Sequence, residues 1–110
     1  MKEAFFTQGI VEAISEEMEK DRTVFMIGQD IGVYGGAFGT SRGLIQRFGD
    51  SRIVNSPISE NSTVGLAIGA ALTGLKPIIE IMFMDFIALA FDQILNKASK
   101  FCYLSQGSIP

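Results

Sequence analysis

Ser56-Pro57-Ile58-Ser59-Glu60 runs straight into Asn61-Ser62-Thr63-Val64-Gly65-Leu66-Ala67-Ile68-Gly69-Ala70-Ala71-Leu72. Pro57 lacks an N–H and biases Ser56 towards extended backbone, so the first five residues read as the end of a strand or an extended loop. The run that follows is apolar and rich in Gly and Ala, and it reads as a buried helix. Glu60 therefore falls at a strand-to-helix junction, where open α/β sheets gather ligand-binding groups. An acid in a first helical turn is also favoured by the macrodipole alone. Glu60 thus has two readings, a helix-terminal charge and a working carboxylate.

Upstream, Val11, Ile14 and Met18 follow helical spacing, which predicts a helix over 3–20 with Glu16 and Lys20 as an i,i+4 pair. Asp21-Arg22 reads as a turn. Val24-Phe25-Met26-Ile27 is wholly apolar and ends at Gly28, the pattern of a parallel strand buried on both faces. Residues 29–40 carry Gly32, Gly35, Gly36 and Gly39 without the spacing of a dinucleotide or P-loop motif. They read as a mobile surface loop or as a loop that closes on a ligand. Ser41 is placed to cap a short helix over 42–48, stopped by Gly49. Arg52-Ile53-Val54-Asn55 reads as a second strand leading into Pro57.

Downstream, Gly65 and Gly69 lie four apart inside the helix. Each costs about 1 kcal/mol against alanine, which points to a second backbone approaching closely, from this chain's own sheet or from another subunit. Gly74 can end that helix. Ile78 to Met82 reads as a third strand, and 85–104 as one long helix that Asp85 can cap. Helix and strand alternate throughout, so the fold class is α/β with a parallel sheet flanked by helices. Three strands leave two liable edges, and the expectation is that residues 1–110 form one incomplete domain.

Apolar residues make up 47% of the 110 and charged residues only 19%, so much of the surface must be covered by sheet packing or by a partner. The net charge of −3 without a basic cluster argues against nucleic acid or an anionic membrane as partner. No apolar run spans a bilayer. The single cysteine, Cys102, cannot pair within the chain, which points to a reducing compartment, here the cytoplasm. There is no histidine. Histidine-based metal sites and Ser/His or Cys/His nucleophiles therefore drop out, no metal ligands are assigned, and acid–base work falls to carboxylates, a cofactor or another chain. Met82 and Phe86 close the third strand and open the last helix. They are ordinary core types, yet with Glu60 they lie at the carboxyl ends of two strands, and together the three can hold a flat, basic heterocycle.

Asp30 to Leu44, Arg52 to Glu60, Gly69 to Pro77 and Asp92 to Lys100 resemble, in order, the β subunit of thiamine-diphosphate-dependent 2-oxo acid dehydrogenases, the E1 component. Met82-Phe83-Met84-Asp85-Phe86 is most similar to the acetoin dehydrogenase branch, with pyruvate dehydrogenase next. The resemblance implies a transketolase-like pyrimidine-binding domain. It implies that the glutamate matching Glu60 is catalytic: it hydrogen-bonds N1′ of the cofactor's aminopyrimidine and promotes the imino tautomer that takes the C2 proton. The positions matching Met82 and Phe86 line the pyrimidine. Acyl transfer to a lipoyl group follows in that family. The implied partners are an E1 α subunit, a second β subunit in a heterotetramer, and the lipoyl acyltransferase.

Thiamine diphosphate is the implied cofactor, with its diphosphate and Mg²⁺ held by the α subunit, because the Gly-Asp-Gly…Asn-Asn type motif is absent here. Gln29 stands where the family usually has an acid, and Cys102 where a basic residue is common. The resemblance implies that this segment is inactive alone. Two other readings stay open: a transketolase or deoxyxylulose-phosphate synthase type enzyme, and a noncatalytic assembly module.

Overall fold

The computed structural model describes residues 5–109. The chain folds as α1 (Phe6–Lys20), β1 (Val24–Gly28), α2 (Leu44–Phe48), β2 (Ile53–Asn55), α3 (Glu60–Leu72) and β3 (Lys76–Glu80), then a series of short helical turns. The three strands form one parallel sheet in the order β2-β1-β3. The α/β expectation holds.

β1 is central because it alone is apolar along its whole length. Val24, Met26, Ile27 and Gly28 are buried. Gly28 aligns with Asn55 of β2 and Glu80 of β3, so all three strands finish at one edge. The chain passes from β1 to β2 on one flank, then crosses by α3 to β3 on the other. That reversal places the crevice of an open sheet between the ends of β1 and β3. The core is Met18, Val24, Met26, Ile31, Leu44 and Ile53, against which Val11, Ile14 and Ile78 pack.

Arg52 ties α1 to this sheet. Its Nε donates to the Val24 carbonyl at 2.9 Å, and Nη2 reaches the carbonyls of Met18 at 2.8 Å and Asp21 at 2.9 Å. The guanidinium also lies over the Phe48 ring at 5.2 Å. Arg47 stitches α2 to α1 by donating to Ser15 and Glu19.

Several boundaries differ from expectation. Residues 3 and 4 of the first helix lie outside the described residues. Lys20 bonds Glu17 at 2.9 Å rather than Glu16, since i,i+3 neighbours are as close as i,i+4 on a helix surface. The third strand is Lys76–Glu80, two residues earlier than expected. Pro77 is tolerated there because an edge strand need not donate at every residue. Ser41 is no cap: α2 starts after Gly43, and the Ser41 hydroxyl donates to the Ile31 carbonyl at 2.7 Å.

α3 is buried on one face only. Glu60, Thr63, Val64 and Ala67 face inward at i, i+3, i+4 and i+7, while Leu66 is exposed. A side chain at Gly65 would meet the Gln93 amide, and one at Gly69 would meet nothing within 4 Å. Within this chain, Gly65 therefore answers to the Gln93 side chain. Gly74 ends α3 as expected, at φ +93°.

The long final helix does not form. Met84–Ala90 is a 3₁₀ stretch, Gln93–Ala98 a π turn and Phe101–Leu104 a short α-helix, α4. The cause is packing. In the 3₁₀ and π stretches only Ala90 is buried, while Leu89, Phe91 and Leu95 stay exposed, so no single apolar stripe drives a straight helix against this sheet. The Ser99 hydroxyl also bonds back to the Leu95 carbonyl at 2.6 Å. Asp85 makes no capping hydrogen bond there. No helix among the described residues is long and apolar enough to cross a membrane.

Candidate functional site

The shared carboxyl edge of the sheet gathers three segments: the glycine-bearing loop after β1, the Ser56–Glu60 junction after β2, and the turn after β3. Ser56 continues the β2 pairing, its N–H bonding the Gly28 carbonyl at 2.8 Å. The chain then turns out at Ile58, which is exposed, and enters α3 at Glu60. Thr63 N–H bonds the Ser59 carbonyl at 2.9 Å, the first turn of the helix.

Glu60 is only 8% exposed. Its Oε1 accepts a hydrogen bond of 3.0 Å from Gln29 Nε2, on the residue that follows β1. Oε2 takes no hydrogen bond among the described residues and is not sealed from solvent. No backbone N–H of the first turn bonds the Glu60 carboxylate, and Ser59 supplies no side-chain cap. Its hydrogen bonding thus runs across the sheet edge rather than back into its own helix. What the carboxylate offers is one fixed oxygen and one free oxygen beside the positive end of α3.

The loop between Gln29 and Gly43 is anchored, not loose. Ile31 is fully buried in the core. Gly32 N–H bonds Asn55 Oδ1 at 2.9 Å, at the end of β2. Thr40 Oγ1 donates to Glu80 Oε2, at the end of β3. Gly36 backs onto the same carboxylate: at φ +81°, a Cβ there would lie 2.8 Å from Glu80 Oε1. That Oε1 is buried without a partner among the described residues.

Met82 lines a cavity of about 250 Å³ with Phe38, Thr40, Glu80 and residues of α1; Glu60 does not border it. Phe86 sits in the turn after β3 and meets Phe83 edge-on at 6.0 Å, while Phe83 meets Phe38 of the loop at 5.4 Å. The aromatic line Phe38–Phe83–Phe86 therefore joins the loop to the turn after β3. Met82 and Phe86 lie beyond β3, and Glu60 lies beyond β2. Gln29, Thr40 and Glu80 carry the contacts that sequence reasoning missed. Only Gln29 left a signal, a polar residue directly after an apolar strand. No group of three His, Cys, Asp or Glu side chains able to hold a metal ion gathers among the described residues.

Residues 2–103 match the family described as "Transketolase, pyrimidine binding domain". The chain is 48% identical over 108 residues to the pyruvate dehydrogenase E1 component subunit beta of Porphyra purpurea, covering 98% of this chain and 33% of that protein. It is 44% identical over 103 residues to the mitochondrial subunit of Rattus norvegicus, covering 94% and 29%. For the mitochondrial subunit of Saccharomyces cerevisiae the identity is 45% over 101 residues, covering 92% and 28%. The chain spans about a third of the length of these relatives. With a parallel sheet whose strand ends share one edge, and a family match across nearly its whole length, the chain belongs to the transketolase pyrimidine-binding domain family.

Proposed function

We propose that this segment is the pyrimidine-binding part of an E1 β subunit, with Glu60 as its catalytic acid–base group and Met82 and Phe86 as the apolar walls of the pyrimidine site. The observation that carries the reading is the Glu60 carboxylate, nearly buried, with Oε1 held by Gln29 and Oε2 left free. Such a group fits one ring nitrogen of a basic heterocycle. Thiamine diphosphate, when bound, supplies the nucleophilic carbon that cleaves 2-oxo acids. Glu60 would hold and return a proton at N1′ of its aminopyrimidine.

The diphosphate and Mg²⁺ fall to an α subunit, and the acyl group passes to the lipoyl arm of an acyltransferase, within an α₂β₂ assembly. Relatives named as pyruvate dehydrogenase subunits favour pyruvate as substrate; the Met82–Phe86 run keeps acetoin as the second reading. Two of those relatives are named as mitochondrial, so the lone Cys102 supports a reducing compartment rather than the cytoplasm in particular.

The test is Glu60→Gln in the complete β subunit carrying this segment, assembled with its α subunit. Glutamine keeps the shape and cannot exchange the proton. Turnover is expected to fall about 10²-fold or more, with cofactor affinity weakened much less. Hydrogen–deuterium exchange at the cofactor C2 should slow in parallel. If exchange and turnover survive while only stability drops, Glu60 is a helix-terminal charge and the assembly-module reading gains.

A further inference from the structure

We infer that Gln29 is a positioning residue that assigns the exchangeable proton of Glu60 to a single oxygen, Oε2. The inference rests on the reading of Glu60 given above. Gln29 Nε2 donates to Glu60 Oε1 at 3.0 Å across 31 residues of sequence. An ionised carboxylate only accepts, so the amide NH₂ faces it in that state. While the NH₂ keeps the orientation seen here, Oε1 accepts and cannot carry a proton, so in the protonated acid Oε1 is the carbonyl oxygen and the proton enters and leaves at Oε2. Oε2 is also the oxygen without a hydrogen-bond partner among the described residues.

The identity of residue 29 matters for the same reason. A carboxylic acid there could take the proton itself or share it, and the proton would then have two homes. An amide cannot ionise, so a proton leaving Glu60 does not stop at residue 29. The position is also well fixed. Gln29 directly follows Gly28, the last residue of the central strand. Gly28 has no room for a side chain, since a Cβ would lie 2.8 Å from the Glu80 carbonyl oxygen. Two residues further on, Ile31 is fully buried. The backbone at residue 29 is thus clamped on both sides, and the amide reaches Glu60 from a rigid base.

The test uses the complete β subunit assembled with its α subunit and Mg²⁺. Calorimetry measures the affinity of thiamine diphosphate and of its analogue with CH in place of N1′. The ratio of the two isolates the N1′ contact, and a variant that merely loosens the fold weakens both ligands alike. The unaltered assembly should prefer the intact cofactor by about 10-fold or more, the scale of a hydrogen bond to a charged group. Gln29→Ala should cut that preference about 3- to 10-fold, because one oxygen no longer keeps its orientation. In a Glu60→Ala background the preference should be gone, and Gln29→Ala should change nothing more. If Glu60→Ala keeps the preference, the reading of Glu60 itself fails. If Glu60→Ala abolishes it while Gln29→Ala leaves it intact, the positioning role is overturned and the reading of Glu60 stands. An equal loss from Gln29→Ala with and without Glu60 also overturns it, because Gln29 would then act by another route.

Discussion

Gly36→Ala should destabilise this domain far more than Gly43→Ala, although both glycines sit in one loop at the same φ of +81°. Left-handed backbone costs an L-residue about 1–2 kcal/mol, and both variants bear that. They differ in what the new methyl group meets. At Gly43 there is nothing within 4 Å, whereas at Gly36 the Cβ lands 2.8 Å from Glu80 Oε1 and 3.1 Å from Thr40 Oγ1. The carboxylate can move aside only by leaving the Thr40 hydroxyl that donates to its other oxygen. Losing a hydrogen bond to a charged, part-buried group adds about 1.5–3 kcal/mol.

The expected totals are about 1–2 kcal/mol for Gly43→Ala and about 2.5–5 kcal/mol for Gly36→Ala. Urea unfolding followed by circular dichroism resolves the gap: with a slope of about 1.5 kcal/mol per molar, the two midpoints should lie more than 1 M apart. Glu80→Ala provides the internal control. In that background the carboxylate is gone and the Thr40 hydroxyl, 3.1 Å from the new methyl, is released to turn aside, so most of the difference between the two alanine variants should disappear. Equal midpoints with Glu80 intact would refute the argument that Gly36 is kept for the carboxylate behind it.

Three further outcomes are expected. Arg52→Ala should cost about 2–4 kcal/mol in urea unfolding, because it removes the donor shared by the carbonyls of Met18, Asp21 and Val24, and Arg52→Lys should restore less than half of that, lacking the planar fork. The Lys76 ammonium, with the Thr23 hydroxyl and N–H, holds the Asp21 carboxyl well below the usual carboxylate range, and Asp21 raises Lys76. The Asp21 contribution is therefore complete above its ordinary value of 3.8 and fades as pH falls below it, while that of Lys76 is complete below 10.5 and fades as pH rises further; Asp21→Asn should flatten the acid limb of stability against pH. Gly69→Ala should raise the melting temperature, since helix propensity gains about 0.5–1 kcal/mol and nothing lies within 4 Å of the new methyl; a fall would show that this face is covered.

The alternating order of elements was legible because apolar periodicity reports burial directly. Val24 to Ile27 reads as a strand buried on both faces because it is wholly apolar and ends at Gly28, and Gly74 reads as the residue that can end a helix, where the structure gives it φ +93°. The junction at Glu60 was legible for the same reason, through Pro57 and the change of pattern behind it. What stayed hidden depends on contacts between distant residues. No local rule joins Gln29 to Glu60, or Thr40 to Glu80, because the pairing exists only once β1, β2 and β3 finish in register. The broken final helix was hidden differently. Residues 85–104 have helical composition, but whether a helix stays straight depends on the surface it packs on, and here only Ala90 of the 3₁₀ and π stretches is buried.

The geometry of the candidate site follows from that register. The loop after β1 is held at each strand end by a different group: the Asn55 amide oxygen ending β2, the buried Ile31 beyond β1, and the Glu80 carboxylate ending β3. A one-residue slip of β3 would turn Glu80 to the opposite face of the sheet, because side chains alternate with period two. Thr40 would then lose its acceptor, and Gly36 would lose the group that excludes a side chain there. Gln29 leads that loop, and its amide sets the orientation of the Glu60 carboxylate. The direction in which the free oxygen of Glu60 points is therefore a consequence of strand pairing on both flanks of β1. A short three-stranded sheet thus fixes a carboxylate that belongs to none of its strands.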